Sequence, residues 1–146
     1  MENPKPISFK LRGKQIRAFR LLSLPEDSPA NISHAIRMGI KPSPVFDALI
    51  LNLEIKLEYD SKRVANLILQ CEFAIPDLKS VFLKENELVV PKGLCAHMGM
   101  IAVGLSRGYL IAKLENTTLD FYILPTINVV NMVKQDLVIK FKKAVR

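Results

Sequence analysis

Two long stretches of the chain alternate between apolar and polar residues. In the first, the apolar positions are odd-numbered and run from Leu49 to Tyr59, with polar residues at most even positions. In the second, the apolar positions are again odd-numbered and run from Ala65 to Ile75. A period of two residues is typical of a β-strand with one buried face and one wet face. The pattern therefore predicts two long strands.

These two strands are predicted to form an antiparallel hairpin, because only residues 60–62 separate them. Both apolar sets are odd-numbered, so they share a face only if the numbers of opposed residues add to an even sum. A three-residue loop meets this condition and places Leu53 opposite Leu69 and Tyr59 opposite Arg63. A slip of one residue would turn the apolar set of one strand toward water.

The segments that flank the hairpin supply further strands and a long connection. Residues 7–12 alternate in the same way and predict an edge strand, which continues through a bulge at Gly13 into residues 16–21. Residues 24–44 contain four prolines and are predicted to be a long crossover loop. A fourth strand is predicted over residues 79–83. The apolar residues of the crossover then have no place in the sheet: Ile32, Ile36, Met38 and Ile40.

Two helices are predicted after the strands. Apolar residues recur at spacings of three and four from Leu94 to Tyr109, which predicts a helix over residues 92–112. Its flanks carry small residues that permit the close approach of a second helix or another subunit: Gly99, Ala102 and Gly104. Asn128 is a good N-cap for a last helix over residues 128–143.

The resulting fold class is α+β, with a four-stranded antiparallel sheet and two helices packed on one face. The length of 146 residues indicates a single domain over residues 1–146. The core is predicted to contain seven strand residues and four helix residues. They are Leu51, Leu53, Ile55, Leu67, Leu69, Cys71 and Phe73, beneath Leu94, Met98, Ile101 and Leu105.

Composition narrows the cellular context. No apolar stretch reaches the length that we expect for a membrane span, and the polar N-terminus lacks the apolar region of a signal peptide. Cys71 and Cys95 are the only cysteines, which we interpret as reduced thiols. We therefore expect a cytoplasmic protein without membrane insertion.

The net charge of +7 invites a second interpretation. The positive charge is concentrated near the two ends of the chain, over residues 10–20 and 140–146. Edge-strand lysines that prevent aggregation explain such charge. A nucleic-acid-binding surface explains it as well, although few aromatic residues are interleaved for base stacking.

The residue types that carry chemistry do not form a recognisable motif. His34 and His97 are the only histidines, and neither has a metal-like partner at ligand spacing. The sequence contains no phosphate-loop pattern and no nucleophile elbow. Glu54, Glu58 and Glu72 fit a solvated sheet face better than a paired-carboxylate site. We therefore predict no catalytic residue, no metal site, no cofactor and no enzymatic activity.

The order of elements and one stretch of sequence resemble the SecB and SecB-like export chaperone family. The match in residues is Ser106-Arg107-Gly108 at the end of the long helix, followed by Ile123-Leu124-Pro125-Thr126-Ile127-Asn128. In that family an Arg-Gly at the helix end is followed by an apolar segment, then by Pro and Asn before the final helix. The connection between the two parts is longer here, by the stretch around residues 115–121.

The resemblance implies an ATP-independent holdase that binds unfolded polypeptides in an apolar groove, for export or for a dedicated client such as an antitoxin. It places the groove at the crossover, Phe46 and the last helix. The implied peptide-binding residues are Ile36, Met38, Ile40, Phe46, Met132 and Leu137. It also implies a homo-oligomer, a tetramer, for which Gly99, Ala102 and Gly104 are the candidate interface. The basic charge argues against docking to the translocase motor SecA, which uses an acidic sheet face in the family.

Two alternatives stay open at this point. One is a basic domain that binds nucleic acid, whose affinity would fall steeply with salt. The other is an adaptor that keeps the fold without chaperone activity. Binding to an unfolded apolar polypeptide separates the holdase from both.

Overall fold

The computed structural model describes residues 8–29 and 31–141, and its largest element is a four-stranded antiparallel sheet. In chain order the strands are β1 (Lys10–Leu21), β2 (Ser33–Pro42), β3 (Ala48–Tyr59) and β4 (Lys62–Ala74). Their order across the sheet is β1-β4-β3-β2, so the β3–β4 hairpin is central. The α+β class and the four-stranded antiparallel sheet are thus confirmed.

The hairpin has the predicted register at its centre and a different turn. Leu53 lies opposite Leu69, as predicted. The turn has two residues, Asp60 and Ser61, with φ of 53° and 61°, as in a type I′ turn. Tyr59 therefore lies opposite Lys62, and the predicted pairing of Tyr59 with Arg63 is wrong.

A β-bulge reconciles this short turn with the even-sum register. The pairing shifts between Leu57, which lies opposite Ala65, and Glu58, which lies opposite Arg63. Val64 is the extra residue, and its side chain is fully buried. The bulge thus gives the even-sum register that a three-residue loop would have given.

The predicted crossover loop over residues 24–44 is wrong for Ser33–Pro42, which form the edge strand β2. Its apolar residues lie opposite buried residues of β3: Ile36 opposite Ile55, Met38 opposite Leu53, and Ile40 opposite Leu51. They therefore do have a place on the buried face of the sheet. The period-two pattern of residues 36–41 was present in the sequence, but the surrounding prolines obscured it.

The segment predicted as a fourth strand, residues 79–83, is wrong as well. It forms the short helix α1 (Leu78–Phe82), followed by the two-residue strand β5 (Leu83–Lys84). β5 pairs with β6 (Glu87–Val90), which in turn pairs with β7 (Leu137–Lys140). These three strands make a second, small antiparallel sheet.

The first predicted helix is confirmed, as α2 (Lys92–Leu114). The second is confirmed only at its start. Asn128 caps α3 (Val129–Met132), accepting a hydrogen bond from the backbone N–H of Asn131 at 3.4 Å. The chain then becomes extended and joins the small sheet as β7, so a helix over 128–143 is wrong beyond Met132. Residues 142 and 143, like residue 7 of the predicted first strand, lie outside the described residues.

All seven predicted strand residues of the core are at most 2% exposed. The helix face is rotated from the prediction. Met98 is buried, but Leu94, Ile101 and Leu105 are only half-buried. Small side chains take their place inside the domain: Cys95, Ala96, Gly99, Ala102 and Ser106.

One polar cluster ties the outer strand β1 to the turn between β2 and β3. Arg12, which occupies a bulge of β1, donates hydrogen bonds to Asp47 at 2.8 Å and to Glu72 at 3.1 Å. Ser43 donates to Asp47 at 2.9 Å and accepts from the backbone N–H of Ala48. The hydrogen bonds from Arg12, and then from Ser43, lower the pKa of Asp47 to about 2. Asp47 is therefore ionised at neutral pH.

Helix α2 is, by length and composition alone, apolar enough to cross a membrane, with a mean hydropathy of 1.3 over 18 residues. The prediction that no stretch reaches such a length is wrong by this criterion. Core helices pass the same test, and 44% of that window is buried within the chain. The helix is thus weak evidence for a membrane span.

The two faces of β3 should respond oppositely to a change of charge. Leu53→Asp would place an unpaired carboxylate at a site that is 1% exposed, which costs several kcal/mol. We expect this variant to be unfolded. Glu54→Lys alters the wet face, so we expect a change in unfolding free energy below about 1 kcal/mol. Circular dichroism with urea titration measures both, and similar losses would contradict the assignment of faces.

Candidate functional site

An open groove of about 710 Å³ lies between the middle of β2 and the segment that connects α3 to β7. One wall is formed by Met38, Gly39 and Ile40 of β2. The other wall is residues 132–138, and Cys95 of α2 lies between them. The groove is thus built by parts of the chain that are far apart in sequence.

Hydrogen bonds hold the second wall in place. Asp136 accepts a hydrogen bond from the backbone N–H of Lys92, the first residue of α2, at 2.9 Å. An acidic group at this end of a helix also interacts favourably with the helix dipole. Immediately afterwards Leu137 pairs with Val90 in the small sheet. The wall is therefore anchored to both α2 and β6.

The lining of the groove is apolar with a polar margin. Met38, Ile40 and Leu137 are half-buried, while Met132 and Val138 are 38% and 47% exposed. Methionine is flexible and polarizable, so it adapts to ligands of different shape. Polar side chains follow each other along the wall: Lys134, Gln135 and Asp136. Such a surface suits an apolar ligand with variable side chains.

Cys95 is not equipped as a nucleophile. It is 2% exposed, and its burial raises the pKa of the thiol to about 11, with a further contribution from the negative charge of Asp136. A thiol with this pKa stays protonated at neutral pH, whereas the thiolate is the reactive form. Its role in the groove is that of a small apolar side chain.

Four of the six predicted peptide-binding residues line the groove together: Met38, Ile40, Met132 and Leu137. Ile36 lies farther along β2, outside the groove lining. Phe46 packs against Phe141 instead, with ring centroids 5.1 Å apart, and Lys79 lies 5.8 Å from its ring centre. Peptide binding by these residues stays a prediction.

Sequence reasoning missed several residues of this groove, among them Gly39, Val133 and Val138. Gly39 belongs to β2, which the alternation of residues 36–41 could have revealed. Val138 belongs to β7, whose four residues are too few for a clear periodic signal. Their proximity depends on the packing of β7 beside α2.

The three candidate oligomer residues have different surroundings. Ala102 is fully buried, and Gly99 packs inside the chain against Met38 and Val129. Gly104 is exposed, and among the described residues no atom outside its own stretch of helix lies within 4 Å of the place where a Cβ would stand. The small size of Gly99 and Ala102 therefore serves packing within one chain. An interface between copies stays a prediction, of which Gly104 is the accessible member.

The two parts of the sequence motif meet in space through Arg107. Its Nε donates to the carbonyl oxygen of Leu124 at 2.7 Å, and its terminal nitrogen donates to that of Pro125 at 3.0 Å. The preceding Ser106 is buried and donates to the carbonyl oxygen of Ala102. Arg107 thereby fixes the apolar segment that leads to α3 and the groove wall.

The two phenylalanines in and beside the basic strand β1 pack against other rings of the chain. Phe9 packs against Phe73 and His97, and Phe19 packs edge-on against Tyr109. Since these rings contact the chain itself, they are not presented to bases. The nucleic-acid alternative gains no support from this surface.

The histidines are separated from each other and from other ligands. His34 Nδ1 lies 3.5 Å from the hydroxyl of Tyr122, and His97 packs against Phe9. Within residues 8–29 and 31–141, no three His, Cys, Asp or Glu side chains are grouped to hold a metal ion.

The fold is similar to that of a SecB-like chaperone of known structure. A solved structure with a similar fold is the Mycobacterium tuberculosis Rv1957 SecB-like chaperone, in complex with a ChAD peptide from the Rv1956 HigA1 antitoxin. The TM-score is 0.51 and the identity 12%, over 82% of this chain and 90% of that chain. No family model matches the sequence, and no curated protein matches it either. At this identity the likeness concerns the fold.

Two glycines of α2 provide a matched test of its packing. A Cβ on Gly99 would stand 2.7 Å from Val129 Cγ1 and 3.0 Å from Met38 Sδ, so Gly99→Ala should lower the unfolding free energy by about 1–3 kcal/mol. Gly104→Ala meets open space and should raise it by up to about 1 kcal/mol, because alanine is the better helix former. Urea unfolding measures both, and equal effects would contradict the orientation of α2.

Arg107→Lys tests the link between the motif's two parts. Lysine lacks the forked guanidinium that reaches two carbonyl oxygens, so we expect a loss of about 1–2 kcal/mol of unfolding free energy. Arg20→Lys on the exposed surface is the control and should change it by less than about 0.5 kcal/mol. Indistinguishable urea midpoints for the two variants would contradict a structural role of Arg107.

Proposed function

We propose that this protein is a holdase chaperone, which binds unfolded polypeptides in the groove between β2 and residues 132–138 without nucleotide. The observation that carries the proposal is this partly exposed apolar groove on a SecB-like fold. A holdase needs apolar surface that adapts to many sequences, held on a rigid sheet. Met38 and Met132 supply the adaptable part, and β3–β4 supply the rigid part.

The groove and the similar fold support the proposed class of client. An open groove accommodates an extended polypeptide more readily than the surface of a compact, folded protein. Since the solved structure of similar fold contains an antitoxin peptide, an antitoxin is one client that we include beside exported precursors. We propose that the protein acts by binding alone, without catalysis.

Assembly and motor docking complete the proposal. A homo-oligomer, with the exposed side of α2 around Gly104 at its interface, would place several grooves on one particle. The wet face of β3 and β4 carries Glu54 and Glu72, but Lys56 lies 3.7 Å from Glu54 and Arg12 binds Glu72. This neutralisation disfavours a SecA-type contact with an acidic face.

Suppression of aggregation tests the groove directly. The protein should reduce light scattering when denatured citrate synthase is diluted into buffer of moderate salt without nucleotide. Met132→Asp combined with Val138→Asp places charge on the exposed apolar lining, so this variant should lose at least about tenfold in apparent affinity. Suppression of aggregation by the unmodified protein should persist at higher salt, because apolar burial supplies the affinity.

The matched control is Phe121→Asp combined with Ile123→Asp, which are 45% and 61% exposed and do not line the groove. It should suppress aggregation like the unmodified protein, and thermal unfolding should show that both variants fold. Equal loss in both would contradict the groove as the site. Failure of the unmodified protein with several clients would contradict the holdase function.

A further inference from the structure

The two outer strands of the large sheet differ in how their edges are protected. β1 has two register shifts, at Arg12 and Arg17, and several basic residues. Bulges and charges of this kind prevent another strand from adding to an edge. β2 has an unbroken register with β3 over all ten residues, and its only charged side chains are Arg37 and Lys41. By these criteria β1 is a protected edge and β2 is an open one.

The backbone groups of β2 that point away from the sheet can be identified from neighbouring hydrogen bonds. Ser43 N–H donates to Ala48 O, whereas Ile75 N–H donates to Asp47 O, each at 2.9 Å. The backbone N–H and C=O groups of even-numbered β3 residues therefore point toward β2, and those of odd-numbered β3 residues point toward β4. Because Gly39 lies opposite Asn52, the odd-numbered residues of β2 bond to β3. The even-numbered residues direct their N–H and C=O groups outward.

These outward groups belong to residues whose side chains lie on the buried face: Ile36, Met38 and Ile40. Among the described residues, none of the three has a backbone hydrogen bond outside the strand pairing. The edge also borders the groove, because Gly39 lines it and has only backbone atoms with which to do so. An unpaired edge and an apolar groove thus lie side by side.

We propose that the outer edge of β2 is a strand-addition site, on which a segment of the client pairs as a fifth strand of the sheet. This inference rests on the proposed function and specifies how the client binds. Side chains on one face of an added strand would enter the groove at every second residue, against Met38, Ile40 and Leu137. Backbone hydrogen bonds would supply affinity that does not depend on client sequence.

Charge identifies the preferred occupant. Arg37 and Lys41 lie on the wet face of β2, and neither forms a salt bridge within the described residues. The strand has no acidic residue, so pairing β2 with the β2 of a second copy would bring only positive charges together. A client segment that alternates apolar with acidic residues complements both faces. The inferred occupant is therefore an extended client segment of this pattern.

Amide hydrogen exchange measured by NMR tests the pairing at single residues. With saturating reduced and alkylated α-lactalbumin as the unfolded client, exchange should slow at least about tenfold at Ile36, Met38 and Ile40. The neighbouring amides of Arg37 and Gly39 are the internal control, since they already bond to β3. Client binding without slower exchange at the three outward amides would overturn strand addition and leave the holdase function intact.

Two other outcomes of this measurement are also decisive. If α-lactalbumin and other unfolded clients do not bind at all, the proposed function fails and strand addition fails with it. If the three amides are already slow without client, and slow further as protein concentration rises, the occupant is a second copy. That result would overturn the assignment of the edge to a client.

Synthetic peptides of ten residues, the length of β2, test pattern and backbone separately. A peptide alternating leucine with glutamate should bind at least about fivefold more tightly than one alternating leucine with lysine at low salt. N-methylation of the leucine amides and of the glutamate amides should have unequal effects, since only one set faces β2. Equal effects of both methylations, or equal affinity of both charge patterns, would contradict the proposal.

A variant of the protein provides the complementary test. The N–H of Ile40 points outward, so Ile40→Pro removes a donor for the client without removing a hydrogen bond to β3. Ile40→Val keeps the N–H with a similar side chain and is the control. The proline variant should bind α-lactalbumin at least about fivefold more weakly than the valine variant. Equal binding by two folded variants would contradict pairing at this residue.

Discussion

The buried ladder between β3 and β4 is the constraint on which the rest of the structure depends. Leu53 opposite Leu69 and Leu51 opposite Cys71 fix which face of the sheet excludes water. Burial of one leucine side chain stabilises a protein by about 1.5–3 kcal/mol, so a shift of the whole register is prohibitive. The bulge at Val64 satisfies this constraint, because it combines a two-residue turn with strand pairs whose residue numbers add to an even sum.

Small residues determine how closely α2 packs in the domain. Ala96, Gly99, Ala102 and Ser106 present little side-chain volume, so this side of the helix lies deep in the domain. Larger residues such as Ile101 and Leu105 are pushed to its margins, where they are half-buried. Met38 of β2 and Val129 of α3 then reach Gly99. One glycine therefore brings together the elements that carry the two walls of the groove.

The two edge strands of the large sheet differ in regularity and in charge. β1 carries arginines at its register shifts, and Arg12 binds Asp47 and Glu72. β2 is regular and borders an apolar groove. A sheet edge is a hazard for aggregation in most proteins. In the proposed holdase function, the same unpaired groups would lie beside the surface that binds the client's side chains.

The sequence by itself determined what depends on local periodicity. The buried parity of residues 49–75, the helix near residues 92–112, the cap at Asn128 and the α+β class all follow from repeats of two or of three to four residues, or from a single polar side chain. The Ser106-Arg107-Gly108 motif also identified the type of fold. These signals were sufficient because each arises within one stretch of chain.

Tertiary structure decided what depends on contacts between distant residues. The alternation at Ile36, Met38 and Ile40 became a strand only because β3 had an unpaired edge beside it. Residues 137–140 became β7 because β6 offered a partner, although their pattern suited a helix. The inward side of α2 was decided by Met38 and Val129, since small residues give a weak apolar signal. The groove exists only where these non-local choices meet, because its walls are separated by about a hundred residues of chain.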